Sequence, residues 1–377
     1  MAEARNFTVG VEEEYLLVDR GTRDLIREAP TAMLARCEEL LGDQVTTEFL
    51  QSQIEIGTKV CGSIAEARED LTHLRGTVAR AAADEGMGLI AASTHPFALW
   101  SDQKTTEKDR YRQLAQDMQA VVRRMVICGM HVHVCVVDPD ERIDLMNQVA
   151  YFLPHLLALS TSSPFWDGDD TGFASYRLAV FDNMPRTGLP GAFDSWAEYE
   201  RHVNMLVKTG MIEDTSKIWW DIRPSSRFPT LEMRICDVCT RLDDAVAIAA
   251  LFQCLLHMLH RLRRMNQRWR TYAQMLVAEN RWRAQRYGVE QGLIDFGRAE
   301  LVAYPDLLDE IIELTLPDAD ELGCTDELLR AREILTRGTS AYDQRQSYTA
   351  ALAAGASPGE AMKAVVDMLI EETARGV

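Results

Sequence analysis

Carboxylate, imidazole and guanidinium groups recur at every second position in several stretches of this chain. The pairs are Glu12 with Glu14, His131 with His133, and Glu232 with Arg234. The stretches that contain them, FTVGVEEEYLLVD, GMHVHVCVVD and TLEMRICDV, are rich in β-branched residues and read as strands. Because side chains alternate across a strand, each pair shares one face of its strand.

The polar faces of the expected strands are dominated by carboxylates. They carry Glu12, Glu14, Glu48 or Glu55, His131, His133, Asp221, Arg223, Glu232 and Arg234. Clustered carboxylates repel one another unless cations compensate. Mg²⁺ and Mn²⁺ take carboxylate oxygens with an occasional imidazole, and Arg makes bidentate contacts to phosphate or carboxylate. Metal ions and Arg around one sheet would suit phosphoryl transfer, whereas a merely solvated strand face would support no chemistry.

The elements that must position these residues are strands in the first two-thirds of the chain and helices in the rest. Strands are expected at 7–19, 45–58, 88–94, 129–138, 218–224 and 230–238, and a helix is expected at 107–127 between them. Glu48 and Glu55 lie seven residues apart, so they share a face only if the strand at 45–58 is broken. We expect one α+β domain over 1–377, with strands mainly in 1–240 and helices in 241–377.

Composition and missing motifs exclude several classes of protein. The chain has 40 Lys+Arg against 58 Asp+Glu, a net charge of −18, which disfavours nucleic acids and anionic membranes as partners. We expect no secretory leader and no membrane span, because the first residues lack an apolar segment and we find no apolar run of about 18 residues. Neither a P-loop nor a strand-linked G-x-G-x-x-G is present. The eight cysteines are scattered, and Cys236 and Cys239 have no second C-x-x-C to complete a zinc site. We therefore expect a cytoplasmic protein with free thiols.

Six motifs in order resemble one known family. They are GVEEE at 10–14, ASTHPF at 92–97, GMHVHV at 129–134, FASYR at 173–177, WWDIRPS at 219–225 and TLEMRICD at 230–237. Together they look like the YbdK-type carboxylate–amine ligases, the type 2 glutamate–cysteine ligases of the glutamine synthetase superfamily. The resemblance implies a glutamine synthetase-like curved antiparallel sheet of about six strands. That sheet would form a funnel with helices on its outer face and a helical C-terminal third.

The resemblance also implies a reaction. ATP would phosphorylate the γ-carboxylate of glutamate, and an amine such as cysteine would attack the acyl phosphate to give γ-glutamylcysteine, ADP and phosphate. ATP and Mg²⁺ or Mn²⁺ are the implied cofactors, and a homodimer is a possible assembly. No residue pattern selects the amine, whose pocket we expect to involve a loop at 165–194.

Roles for individual residues follow from the same resemblance. The implied metal ligands are Glu12, Glu14, Glu48, Glu55, His131 and Glu232. The implied contacts to ATP or substrate are Arg177, Arg223, Arg234 and His133. Glu232 and Arg234 are the implied catalytic residues, and the seven-residue spacing of Glu48 and Glu55 belongs to the superfamily pattern.

Two other functions stay open at this point. One is a metal-dependent hydrolase that uses His131 and His133 on the first strand of a β/α barrel, which would require further His and Asp at later strand ends. The other is a non-enzymatic scaffold that associates through the helical C-terminal region. Bound zinc with ATP-independent hydrolysis would favour the hydrolase, and absence of nucleotide binding would favour the scaffold.

Overall fold

The computed structural model describes residues 7–106 and 118–377. Its strands are β1 Val9–Asp19, β2 Val45–Thr47, β3 Gln53–Gly57, β4 Met87–Ile90, β5 Met130–Cys135, β6 Phe165–Trp166, β7 Asp169–Asp170, β8 Thr187–Gly188, β9 Trp219–Trp220, β10 Ile222–Pro224, β11 Thr230–Met233, β12 Leu293–Asp295 and β13 Glu300–Val302. Its α-helices are Thr31–Leu41, Ile64–Asp84, Ala120–Arg123, Pro139–Val149, Leu153–Ser160, Arg177–Phe181, Trp196–Lys208, Leu242–Arg264, Gln274–Tyr287, Tyr304–Leu322, Thr325–Leu329, Ala331–Arg337, Ser340–Ala353 and Pro358–Thr373. Most of the helix predicted at 107–127 lies outside the described residues.

The main sheet of the described residues is built around β1. Its strand order is β10-β11-β5-β1-β3-β2, and β4 pairs with the second half of β1 as a seventh strand. Every pairing in this sheet is antiparallel. The predicted antiparallel α+β sheet is thus confirmed, and the parallel β/α barrel that the hydrolase reading requires is not this fold.

One face of the sheet is apolar and carries helices. Val132 and Val134 of β5 are fully buried on this face. Helices Ile64–Asp84 and Leu242–Arg264 pack against β1 and β5, respectively. Contrary to the expectation of no apolar run of about 18 residues, the second helix is long and apolar enough to cross a membrane. However, 94% of its most apolar stretch is buried inside the protein, as in a core helix.

A buried ion pair crosses this apolar interface. Glu13 points to the helix side of β1, and Arg75 of helix Ile64–Asp84 reaches it with Nη2 at 2.6 Å from the carboxylate. Both side chains are completely buried. Tyr15 donates to the same carboxylate, and Arg75 Nη1 donates to the Thr240 carbonyl at 2.8 Å. These hydrogen bonds satisfy both charges and fix the helix against the sheet.

The segment 165–194 is not the continuous loop that composition predicts. It contains the β6–β7 hairpin, helix Arg177–Phe181 and strand β8, which pairs in parallel with β9. A second hairpin, β12–β13, interrupts the C-terminal helical region. The predicted hairpin at 218–238 is present as β10 and β11.

Candidate active site

Strand register gathers the polar residues on the face of the sheet opposite the helices. The directly opposed pairs are Glu12 with His131, Glu14 with Glu55, Glu232 with His133, and Glu232 with Arg223. Residues opposite one another on paired strands point to the same side of the sheet. Residues separated by up to 220 positions in sequence therefore line one surface, as the alternation within each strand predicts.

Three of these residues form a compact set of potential metal ligands. One ligand atom from each of Glu12, His131 and Glu232 lies within 4.8 Å of the other two. His131 Nδ1 is 3.0 Å from Glu12 Oε2. Two carboxylates and an imidazole are a donor set that hard divalent cations accept.

The electrostatics at this set favour the protonation states that bind metal. Burial acts to raise the pKa of Glu12, but the hydrogen bond to His131 and the nearby His133 imidazole outweigh it and hold that pKa well below its usual value. Burial, helped by the positive charge of Arg234, lowers the pKa of His131 to about 4. At neutral pH the site thus presents a carboxylate and a neutral imidazole, the forms required of ligands.

A second acidic group lies beside the first. The chain between β2 and β3 is interrupted, as predicted, and the Glu48 side chain lies close enough to Glu55 to raise its pKa. Glu14 Oε2 accepts from the Gly129 backbone N–H at 2.7 Å. Burial and the charge of Glu48 raise the pKa of Glu14 to about 7. Burial, Glu48 and Glu12 raise that of Glu55 well above its usual value. These carboxylates therefore lack compensating charge, which a cation would supply.

Arg223 and Arg234 surround Glu232, which is 2% exposed. Arg223 binds both Glu232 oxygens, with Nε and Nη2 each at 2.9 Å, and Arg234 Nη1 donates to Oε1. Burial acts to raise the pKa of Glu232, but Arg234, His133 and Arg223 together hold it far below its usual range. Arg223 thus orients Glu232, and its expected contact to a bound anion stays a prediction.

His133 lies at the edge of this group. Its Nδ1 is 3.0 Å from Thr230 Oγ1, and its Nε2 is 3.4 Å from Glu12 Oε1. That second approach does not have hydrogen-bond geometry, since Nε2 is buried without a partner among the described residues. His133 therefore supports Glu12 electrostatically and stands outside the compact ligand set.

Two guanidinium groups close to Glu14 have unused donors. The Nε atoms of Arg177 and Arg234 are both buried and have no hydrogen-bond partner among the described residues. The Arg177 Nη atoms donate to the backbone carbonyls of Ile235 and Arg234 at 3.3 and 3.2 Å. Unpaired buried N–H groups are costly, and an oxyanion between the two arginines would satisfy them.

Comparison with known proteins identifies the family. The model of glutamate–cysteine ligase family 2 (GCS2) matches residues 8–367. The chain belongs to this family. A Rhodospirillum rubrum relative that carries the provisional name glutamate–cysteine ligase 2 is 62% identical over 371 residues, covering 97% of this chain and 95% of its own. A Paracoccus denitrificans relative with the same provisional name is 53% identical over the whole of both chains. As a GCS2 member, the chain is an ATP-dependent carbon–nitrogen ligase.

Solved structures show the same fold at low sequence identity. The Francisella tularensis glutamate–cysteine ligase, crystallised with AMP, has a TM-score of 0.67 at 13% identity, over 99% of this chain and 90% of that one. A bifunctional glutathione synthetase from Pasteurella multocida has a TM-score of 0.69 at 17% identity. The match covers 98% of this chain and 53% of the synthetase, so this chain spans about half of the bifunctional protein. These matches confirm the glutamine synthetase-like class of the GCS2 fold.

One residue of the GCS2 motifs does not lie where strand alternation places it. Asp221 is expected on the acidic face, but it lies between β9 and β10 and is bound by Arg281 at 2.7 and 3.1 Å. Arg281 also binds both oxygens of Asp182, just after helix Arg177–Phe181. Asp221 therefore ties the β10 end of the sheet to a C-terminal helix. No local pattern indicates this pairing, because the partners are 60 residues apart.

Proposed function

We propose that this chain joins a carboxylate to an amine through an acyl phosphate, with ATP as the phosphoryl donor. The observation that carries the proposal is the convergence of Glu12, His131 and Glu232, whose ligand atoms lie within 4.8 Å of one another. Beside them, burial and mutual repulsion raise the pKa values of Glu14 and Glu55. The Arg and His side chains of this face therefore do not balance its carboxylates.

Mg²⁺ or Mn²⁺ fits this donor set. Glu12, His131 and Glu232 would hold one ion, and Glu14, Glu48 and Glu55 would hold further positive charge beside it. Bound ions would neutralise the phosphate oxygens of ATP and orient its γ-phosphoryl group.

The chain's own residues would then bind and orient the reactants. The substrate carboxylate oxygen attacks the γ-phosphorus and ADP leaves, so no protein nucleophile is required. Arg234, with Arg177 beside it, stabilises the negative charge that develops on the transferring phosphoryl group. The neutral amine then attacks the acyl carbon, the C–O bond to phosphate breaks so that phosphate leaves, and the nitrogen releases one proton to give the amide. Arg223 keeps Glu232 ionised and fixed in place throughout.

Glutamate and cysteine are the proposed substrates, with γ-glutamylcysteine as product. The support is the family, whose curated relatives carry that activity in their provisional names. We further propose that residues 1–377 act as one catalytic domain in the cytoplasm, where its eight buried free thiols stay reduced. A homodimer is the proposed assembly.

The test is a coupled assay of ADP release with glutamate, cysteine and a panel of other acids and amines. We expect release to require both a divalent ion and a carboxylate substrate. Glu232→Gln should lower kcat by at least about a hundredfold, since it removes a metal ligand and a charged partner. Glu141→Gln is the matched control, because Glu141 is a buried acid bound to His260 outside this face. Full activity in Glu232→Gln, or ADP release without a divalent ion, would overturn the proposal.

A further inference from the structure

Asp237 is a completely buried carboxylate for which the proposed mechanism has no use. Its backbone lies opposite Gly129, where β5 and β11 come together. No Lys or Arg side chain of the described residues donates to it. Instead, the carboxylate accepts hydrogen bonds from three groups that are distant in sequence. They are the Ser162 N–H at 2.9 Å, the Ser163 hydroxyl at 2.8 Å and the Ser175 hydroxyl at 2.8 Å.

These donors belong to the segment that introduces Arg177. Ser163 Oγ donates to Asp237 and accepts the Arg177 backbone N–H at 3.1 Å. Ser175, two residues before Arg177, forms a β-bridge with Ser163. One carboxylate therefore fixes two bridged chain segments at the point where helix Arg177–Phe181 begins.

The position of the Arg177 side chain is also closely constrained. It crosses directly over Gly129, where even a methyl group in place of the glycine hydrogen would overlap the Arg177 guanidinium. The Gly129 N–H binds Glu14, so Arg177 lies beside the second acidic group. The positive charge of Arg177 acts on both Glu14 and Asp237.

We propose that Asp237 is the positioning residue for Arg177: through Ser163 and Ser175 it holds the Arg177 guanidinium over Gly129, with its Nε directed at an anion in the site. This inference rests on the proposed function, since it takes Arg177 as an anion contact. Asp237 itself touches no reactant.

A double-mutant cycle separates this role from a purely structural one. Asp237→Asn keeps the volume and removes the charge. We expect kcat/KM for the acid substrate to fall about tenfold in the wild-type background and less than about twofold in an Arg177→Ala background. An equal fall in both backgrounds, or no fall in either, would overturn the proposal.

Asp318→Asn is the matched control. Asp318 is also completely buried, but it pairs with His257 and Arg261 on helix Leu242–Arg264, away from Arg177. It should lower stability and leave kcat/KM unchanged. A similar loss of kcat/KM in Asp318→Asn would mean that Asp237→Asn acts by destabilising the whole fold, and would overturn the proposal.

Two further measurements keep the inference decidable. If Asp237→Asn fails to fold, Ser175→Ala removes only one of the three hydrogen bonds and should still lower kcat/KM about threefold, again only when Arg177 is present. A Ser175→Ala variant with wild-type kinetics would contradict the positioning role of Asp237.

The second measurement is a crystal structure of a folded Asp237 or Ser175 variant, which should show Arg177 displaced from Gly129. An unmoved Arg177 would overturn the inference even if the wild type proves to have another activity. Absence of ADP release by the wild type with every acid tested would instead contradict the proposed function alone.

Discussion

Glu14 of β1 lies directly opposite Glu55 of β3, so two carboxylates occupy one rung of an antiparallel sheet. Like charges in directly opposed positions destabilise a sheet. Burial and the nearby Glu48 raise the pKa values of both groups, which is the response expected of crowded acids. Repulsion between these carboxylates therefore destabilises the sheet, and a bound divalent ion would relieve it.

The first prediction concerns metal binding and stability. Mn²⁺ at about 100 times its Kd should stabilise the protein by about 2.7 kcal/mol, because it binds the folded site and not the unfolded chain. Glu55→Gln should raise the melting temperature of the metal-free protein, since it removes one of the crowded carboxyl groups whose ionisation the folded state disfavours, and it should reduce the stabilisation by Mn²⁺. Thermal unfolding with and without Mn²⁺ checks both. If Mn²⁺ stabilises Glu55→Gln as much as the wild type, the ion does not bind next to Glu55.

The second prediction concerns the contact between Gly129 and Arg177. Gly129→Ala places a methyl group inside the Arg177 guanidinium, so Arg177 must move. We expect kcat/KM for ADP release to fall about ten- to a hundredfold, close to the effect of Arg177→Ala. Gly191→Ala is the control, because nothing lies within 4 Å of a Cβ there. If Gly129→Ala keeps wild-type kinetics, Arg177 has no role that depends on its position.

The third prediction concerns the buried Glu13–Arg75 pair. Removing only Arg75, as in Arg75→Met, leaves Glu13 charged and buried and should lower the free energy of unfolding by about 3–5 kcal/mol. The double variant Glu13→Leu/Arg75→Met should recover most of this loss, since no unpaired charge remains. Urea unfolding measures each step.

Arg36→Met serves as the control for that cycle, because Arg36 and Asp84 form a pair in which both side chains are more than half exposed. Arg36→Met should change the free energy of unfolding by no more than about 0.5 kcal/mol. A loss as small as this in Arg75→Met would show that the buried pair contributes no more to stability than an exposed one.

The fourth prediction is a pH dependence set by His95. Its Nδ1 accepts the N–H groups of Phe97 and Ala98 at 3.2 and 2.9 Å, and its Nε2 is 2.9 Å from the Arg23 carbonyl. Burial lowers the pKa of His95 to about 4, against 6.5 for a free side chain. Between these values the unfolded chain binds the extra proton, so stability rises with pH and is lost as pH falls from about 6.5 to 4.

The size of this contribution is up to about 3 kcal/mol, at 1.36 kcal/mol for each unit of pKa difference. In His95→Asn the side-chain oxygen can still accept a backbone N–H but does not titrate. The difference in unfolding free energy between wild type and variant should therefore narrow toward pH 4. Parallel curves for the two proteins across this range would contradict the neutral state of His95.

Strand alternation predicts most of the candidate site. The pairs at 12 and 14 and at 131 and 133 each lie within a strand, and Arg234 follows directly after the end of β11. Strand register then brings Glu12, His131 and Glu232 together. The break between Glu48 and Glu55 can also be predicted, because two residues seven positions apart point to opposite faces of a continuous strand.

Other features have no local signal. The Glu13–Arg75 and Asp221–Arg281 pairs join residues about 60 positions apart, and only the folded topology brings them together. The strands within 165–194 are two residues long, too short for any period to be detected. Asp237 lies in a recognisable motif, yet its role depends on serines 62 to 75 residues away. Tertiary contacts, not sequence periodicity, determine these parts of the structure.

The central claim is that strands distant in sequence present one ion-binding site for the phosphates of ATP. A crystal structure with Mn²⁺ and a non-hydrolysable ATP analogue tests it most directly, because the anomalous signal of manganese locates the ion. We predict a peak bound by Glu12, His131 and Glu232 at about 2.1 Å, in contact with phosphate oxygens. A nucleotide bound with its manganese away from these three side chains would contradict the account.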